Sequence, residues 1–425
     1  MSHAAFEAAL HDNPDDLATW CAFADWLAEQ GDPRGAFMQT QLALEDESRA
    51  KDERDALKAR EAELLAEHQR EWLGPLTAFT LDGEPVRYYD GSGVGTRPPV
   101  AHTFRRGWLH RVELHRATVE QVRALSVCPG ARLLQELIIP AAENERPVGQ
   151  SERYITSYYE PGPDVPEDAS AWEGPSLHAL THSPRLGGLR VFQLGYGTPG
   201  LNGQKESTDN CHTSGQLIPA LVAQMPRLEE LYVYAHRTDT DALFARSLPN
   251  LRVLLLYHGR SFPLDRLAAN PAFANLEALL CHPHAMDYED IDAGAYIRLE
   301  HLRAICRSPH LTKLTNLRLR LTDFGDKGVE EIVSSGILKR LKVLDLQGGC
   351  ITDAGAKALA DCPDLKNLQF LNLNSNAIHG EGGLALIGTG VRVSLDGQHD
   401  QTPGEFGDRG DDVQIPEYLF EGDIE

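Results

Sequence analysis

Residues 226–259 read PRLEELYVYAHRTDTDALFARSLPNLRVLLLYHG, and the phrase P-R-L-E-E-L-Y-V-Y returns 23 residues later as P-N-L-R-V-L-L-L-Y. Each copy places apolar residues at L-x-x-L-x-L and closes on a tyrosine, Tyr234 and then Tyr257. The last part of the phrase alternates with period two, the spacing of a strand that buries one face. With Val, Ile, Phe or Cys allowed at the apolar places it occurs nine times. The copies begin at Leu109, Leu134, Leu189, Leu228, Leu251, Leu276, Leu314, Leu341 and Leu368. Successive spacings are 25, 55, 39, 23, 25, 38, 27 and 27 residues. A period of 20–29 means that each unit adds one strand to a stacked array, and the longer gaps read as a repeat carrying an insertion.

The last complete copies are the most regular. LKVLDLQGGCITDAGAKALADC (341–362) and LQFLNLNSNAIHGEGGLALIG (368–388) share a turn, then an apolar residue (Ile351, Ile378), then a glycine four on (Gly355, Gly382). Phe324 and Gly328 repeat that relation, and each glycine is expected to open a helix. GVRVSLDG (390–397) reads as a final edge strand. Over about residues 105–397 this pattern resembles leucine-rich repeat proteins of the ribonuclease-inhibitor type. The fold class implied is α/β: a leucine-rich repeat solenoid, with a curved parallel sheet inside and helices outside, preceded by a small all-α domain. In that class an Asn two residues before the apolar position binds the turn backbone. Asn376 matches, whereas Gly349 and Thr322 depart and should hold their turns less firmly.

The start of the chain has another character. In HDNPDDLATWCAFADWLAEQGDPRG (11–35), Asn13 reads as a helix cap, Pro14 as the first helical residue, and Asp15 and Asp16 as first-turn acids. Trp20, Phe23, Ala24 and Leu27 share one face, and Gly31 and Pro33 end the helix. A further helix is expected from about Arg49 to Trp72, with Leu57, Leu64 and Leu65 on its apolar side. Such a unit would close the open end of a solenoid. The wording ADWLAEQGDPRGAF with EAELLAEHQREWLGPL is similar to the bacterial repeat-companion domain of planctomycetes and myxobacteria. Asp25, Trp26, Gly31, Asp32, Pro33, Arg34 and Gly35 carry that likeness. They read as an aromatic anchor, a turn and a pairing of Arg34 with Asp25 or Asp32, or else as a docking surface. The expected organisation is a helical domain over 1–76, a connecting segment over 77–104, and the solenoid over 105–397. Inserted loops fall at about 140–188, 195–215 and 282–300, and an acidic tail occupies 398–425.

The 425 residues carry a formal charge of −23, which points away from nucleic acid and anionic membrane because phosphate needs a basic footprint. No apolar run approaches a bilayer span, and the first residues hold neither a basic nor a hydrophobic leader. Seven irregularly spaced cysteines suit reduced thiols in a cytoplasm. Zinc-type ligands occur at Cys281, His284, Cys211 and His212, yet their spacing is wrong for a four-ligand site and Cys281 takes an inward strand position. In GYGTPGLNGQKES (195–207), Lys205 precedes Glu206 rather than the Ser or Thr of a phosphate loop. Neither G-x-S-x-G nor H-E-x-x-H occurs. No catalytic, cofactor or metal residue is therefore assigned, and no cofactor is expected.

What remains is a surface. Residues between the inward leucines should face the concave side, giving Glu230, Tyr232 and Tyr234, then Val253, Leu255 and Tyr257, then Ala278, Leu280 and His282. Stacked strands would join them into one apolar, aromatic patch. It would be flanked by Arg111, Glu113 and His115 on one side and by Asn316, Arg318, Arg320, Asp345, Gln347, Asn372 and Asn374 on the other. An aromatic centre with a polar rim is the anatomy of a protein interface. The expected function is thus a non-enzymatic scaffold binding a protein or peptide there. The alternatives are a regulatory adaptor or inhibitor of an enzyme encoded nearby, or a hidden hydrolase or metal enzyme. A competing expectation is that the loop at 140–188 or 282–300 folds over the patch. The tail contains the apolar phrase IPEYLF (415–420), read as a cap on the last repeat or a segment offered to a partner.

Overall fold

A computed structural model of the chain describes residues 2–89, 94–142, 175–197, 213–284 and 295–399. Residues 143–174, 198–212, 285–294 and 400–425 lie outside the described residues. They include most of the three expected insertions, the tail, and Cys211, His212, Lys205 and Glu206. The chain divides into two compact units: residues 1–148, 168–193 and 224–227, and residues 149–167, 194–223 and 228–425.

The first unit begins with four helices: α1 (His3–Asp12), α2 (Leu17–Glu29), α3 (Pro33–Leu44) and α4 (Lys51–Leu73). The cap of α2 is Asp16 rather than Asn13, because the Asn13 N–H still donates to Ala9 and closes α1, so residues 14–16 are needed to turn the chain. The Asp16 carboxylate accepts from the Ala18 and Thr19 amides and, at 2.6 Å, from the Thr19 hydroxyl. As expected, Trp20, Phe23, Ala24 and Leu27 are buried together, joined by Phe6, Leu10, Met38 and Trp108. Phe37, Leu64 and Trp72 form a second cluster.

Arg34 does not form the expected acidic pair. Its backbone N–H caps onto Asp32, while its buried guanidinium donates to the Gly107 carbonyl at 3.3 Å. The same group lies 4.5 Å from the Trp108 ring centroid and 5.4 Å from that of Trp72. Asp25 instead accepts from Gln39. The inward side of α3 aims Arg34 between two indoles, whose faces attract a cation. Gly35 permits this packing, since a Cβ there would run into the backbone of Ala28.

The segment expected as a connection holds α5 (Thr77–Thr80), an antiparallel pair β1 (Val86–Tyr89) and β2 (Val94–Arg97), and most of β3 (Val100–Arg105). β3 pairs antiparallel with β4 (Trp108–Leu114), and β4 pairs parallel with β5 (Glu136–Ile139). Helix α6 (Val119–Val127) joins the last two, closed by a capping box of Thr118 and Gln121. Helix α7 (Pro175–Leu180), within the stretch expected as an insertion, leads to β6 (Val191–Leu194).

The second unit is the repeat pattern made physical. Six strands follow their copies of the phrase by two residues each: β7 (Glu230–Tyr234), β8 (Val253–Gly259), β9 (Ala278–Pro283), β10 (Asn316–Leu319), β11 (Val343–Asp345) and β12 (Phe370–Asn372). They pair parallel in sequence order, and β13 (Val393–Ser394) pairs with β12 as the expected edge strand. Helix α8 (Ile218–Val222) precedes β7, and between the strands run α9 (Thr240–Phe244), α10 (Leu264–Ala269), α11 (Leu299–Arg307), α12 (Gly325–Ser335), α13 (Asp353–Asp361) and α14 (Gly380–Gly388). Two inward columns make the core: Leu231, Leu254, Leu279, Leu317, Leu344 and Leu371, then Val233, Leu256, Cys281, Leu319, Leu346 and Leu373, all buried. Helices on one face of a parallel sheet follow from that one-sided leucine period.

Polar side chains tie each repeat to the next. The Asn376 carbonyl oxygen accepts from the Gly349 and Ile351 amides one repeat earlier, while its NH2 donates to the Leu346, Leu373 and Asn374 carbonyls. The turn at Gly349, expected to be loose, is therefore held from the following repeat. Thr322 is fully buried, and among the described residues its hydroxyl has no hydrogen-bond partner, in keeping with a weaker hold there. On the helix side, the Asp326 carboxylate accepts from the Thr352 and Gly355 amides and from the Thr352 hydroxyl. Asp353 likewise accepts from the His379 amide at 2.7 Å. The recurring glycines lie inside the first helical turn, where a Cβ on Gly355 or Gly382 would collide with those same aspartates.

Candidate partner-recognition face

Parallel pairing fixes which side chains meet across strands β7–β12. The register sets Tyr232 beside Leu255, Leu255 beside Leu280, Leu280 beside Arg318, Arg318 beside Asp345 and Asp345 beside Asn372. A neighbouring row runs through Tyr234, Tyr257 and His282. Tyr232, Leu255, Leu280, Arg318, Asp345 and Asn372 thus share one row and Tyr234, Tyr257 and His282 the next, while Val253 lies in a third row with Glu230 and Ala278.

The rows are closed rather than open. Tyr234, Tyr257, Leu255 and Leu280 are buried to within 1% of full, and Tyr232 retains 8% exposure. The expected exposed aromatic patch is thereby corrected: these side chains are buried, and the rings stack on one another. Tyr234 stacks on Tyr257 at 4.5 Å and 20°, and Tyr257 on the His282 ring at 5.5 Å and 24°. The Tyr232 hydroxyl donates to the Glu230 carboxylate at 2.6 Å.

Past β9 the chemistry changes from stacking to charge. Nε and Nη2 of Arg320 donate to Asp345 Oδ2 at 3.0 and 2.7 Å, and Nη1 lies 3.4 Å from His282 Nδ1. Burial pushes the Asp345 carboxyl upward, but the Arg320 charge and hydrogen bonds, the Gln347 amide and the Asn372 side chain outweigh it, leaving its pKa below the usual carboxylate range. Asn372 is buried, and its side-chain oxygen accepts from the Asn374 amide. Arg318 donates to Asn316 at 3.1 Å.

One row nearer the strand starts, Glu230, Val253, Asn316, Val343 and Phe370 are half-buried, as is His282 in the second row. Val343 and Phe370 went unrecognised in the sequence, although each sits two residues past its leading leucine, as Val253 does. Arg252 and Glu277 pair across β8 and β9 at the mouth of that row. On the first unit, Glu113 is held below the usual range, chiefly by a hydrogen bond from His115, which with the Arg111 contacts overcomes partial burial.

Nothing in these rows assembles a nucleophile with a base. Cys281 is fully buried and its thiol is pushed far up by burial, so it supplies little thiolate. His284 stands against the ring of His236 at 5.2 Å. Among the described residues no cluster of His, Cys, Asp or Glu could hold a metal ion, and no helix is long and apolar enough to cross a membrane.

Residues 310–333, 340–360 and 364–386 match the Leucine Rich repeat family model. These segments are similar to leucine-rich repeats. Two solved structures resemble the chain: a protein from Bacteroides fragilis, 15% identical over 67% of this chain and 60% of that one, with a TM-score of 0.32, and an internalin from Listeria monocytogenes, 14% identical over 68% of this chain and 87% of that one, with a TM-score of 0.31. No curated protein matches.

Proposed function

We propose that this protein is a non-enzymatic scaffold that recognises a protein or peptide along the strand face of its leucine-rich repeats. The observation supporting this reading is the row Glu230, Val253, Asn316, Val343 and Phe370, half-buried side chains held in register beside the stacked tyrosines and the Arg320–Asp345 pair. Side chains at strand spacing on a rigid sheet cost little conformational entropy to engage, which favours affinity. Tyr232, Tyr234, Leu255, Tyr257, Leu280, Arg318, Arg320, Asp345 and Asn372 act from the adjoining rows, setting the shape and charge beside Val253 and its neighbours, and His282 is half-buried among them. A charge of −23 favours a protein partner over nucleic acid or an anionic membrane, and the cysteine usage favours a cytoplasmic setting. Residues 1–76 then serve as a repeat-companion module.

A photo-reactive amino acid at position 253, 316, 343 or 370, compared with one at the exposed helix positions 330 and 357, tests the reading in the native cell. The expected result is one common adduct from the strand positions and none from the helix positions. Adducts confined to the helix positions would overturn it.

A further inference from the structure

Charge is divided unevenly along the sheet of the second unit. The stretches that enter and form β7–β9, residues 228–235, 248–259 and 273–284, hold Arg252 against Glu229, Glu230 and Glu277. Arg252 is matched across the strands by Glu277 at 3.0 Å. The stretches that enter and form β10–β13, residues 309–322, 337–344, 365–380 and 388–395, hold no Asp or Glu. Their exposed cations are Lys313, Lys339, Lys342, Lys366 and Arg392. Lys313 donates to the Asn275 side chain at 2.6 Å. Among the described residues, Lys339, Lys342, Lys366 and Arg392 form no ion pair, although the same unit pairs Arg303 and Arg307 with Glu331 and Lys357 with Glu381.

Parallel register gathers these cations around the strand-face row. Val343 pairs with Phe370, and Arg392 precedes Val393, the partner of Leu371, so Arg392 continues the row beyond Phe370. Its guanidinium lies 5.1 Å from the Phe370 ring centroid, a cation on an aromatic face. Lys342 immediately precedes Val343, and Lys366 stands in the turn that leads to Phe370. Two half-buried apolar side chains are thus bordered by three exposed cations. From β10 to β13 the strip spans about 15 Å at the strand spacing, the length of roughly four or five extended residues.

Scale decides which anion suits it. Charges are screened over about 8 Å at physiological salt, so a short acidic segment on the strip feels these cations more than the −23 of the whole chain. A nucleic acid carries its phosphates well past 15 Å and there meets a chain of like sign. We propose that the partner recognised on this face is an extended protein segment in which carboxylates flank an aromatic or branched apolar residue. Its carboxylates lie against Lys342, Lys366 and Arg392, and its apolar side chain against Val343 and Phe370. This rests on the strand-face reading above and adds the chemistry of the partner.

Fluorescence anisotropy on the full chain tests it with two labelled synthetic octapeptides. Each holds one Phe and one Val, and the other positions are all Glu in one and all Gln in the other. The acidic peptide should bind at least about tenfold more tightly at low salt, and the difference should shrink as salt rises. The triple variant K342E/K366E/R392E changes only exposed side chains and should bind the acidic peptide at least about tenfold more weakly. Lys327→Glu, on α12, should change that affinity by less than about twofold. Binding of neither peptide, or an unaffected triple variant, would overturn the assignment. If both bind equally and Val343→Asp weakens both, the strand-face reading stands and the acidic partner falls. Displacement of the acidic peptide by an eight-uridine oligonucleotide at a lower concentration than by unlabelled peptide would sink it too, by giving the cations to phosphate. A sedimenting dimer that the triple variant dissolves would do the same, because a second copy would then occupy the strip.

Discussion

Strands β7–β9 and β10–β12 share one backbone pattern and one inward column of leucines, yet their strand-face chemistry is opposite. The first three stack Tyr234, Tyr257 and His282; the last three carry Arg320, Asp345 and Asn372. The difference teaches that parallel hydrogen bonding and the leucine period set the geometry, while the alternate positions are left to vary. The two halves should then fail for different reasons. The stacked half depends on volume and contact, and the charged half on keeping a buried ion paired.

The largest effect should come from Tyr257→Ala, which removes a fully buried ring touching two neighbours. A loss of about 3–5 kcal/mol, insensitive to pH and salt, is expected from urea unfolding. Asp345→Ala leaves Arg320 buried without its carboxylate and should cost about 3–4 kcal/mol at pH 7. Its pH dependence sharpens the contrast. The folded pKa of Asp345 lies below the unfolded one, so its contribution is complete above the ordinary carboxylate pKa and is lost as pH falls through the folded value. The gap between native and D345A proteins should therefore narrow below about pH 4, whereas that for Y257A should not. A gap for D345A unchanged between pH 7 and pH 3 would remove the electrostatic account.

Asn376→Ala comes next. It strands the Gly349 and Ile351 amides and should cost about 2–3 kcal/mol, read from the denaturation midpoint. Gly355→Ala forces a methyl against Asp326 and should cost about 1–2 kcal/mol, with Asp326→Ala partly relieving the double mutant. The smallest change is expected from Glu277→Gln at the exposed pair with Arg252, within about 0.5 kcal/mol and smaller still in high salt.

Much of this fold was legible because leucines at a fixed period are a local signal repeated many times. The strand starts, the edge strand at Val393 and the cross-strand neighbours of Tyr232 and Tyr257 all follow from it. Features that depend on a partner far along the chain were not legible. Arg34 sits between Trp72 and Trp108, and neither indole is near it in sequence. Asn376 was recognisable as a turn binder, but not as the group that holds Gly349 from the next repeat. Whether Tyr234 and Tyr257 would be open or covered was left between two expectations, and both are buried, because period two says where a side chain points and nothing about what it meets.

Asn376 has a consequence for the order in which the molecule is made. The loop at 346–351 emerges from the ribosome about 25 residues before the side chain that fastens it. That turn therefore waits, half-knotted, for the unit after it: a stall in synthesis between the two leaves it unlatched, and release comes only with the next stretch of chain.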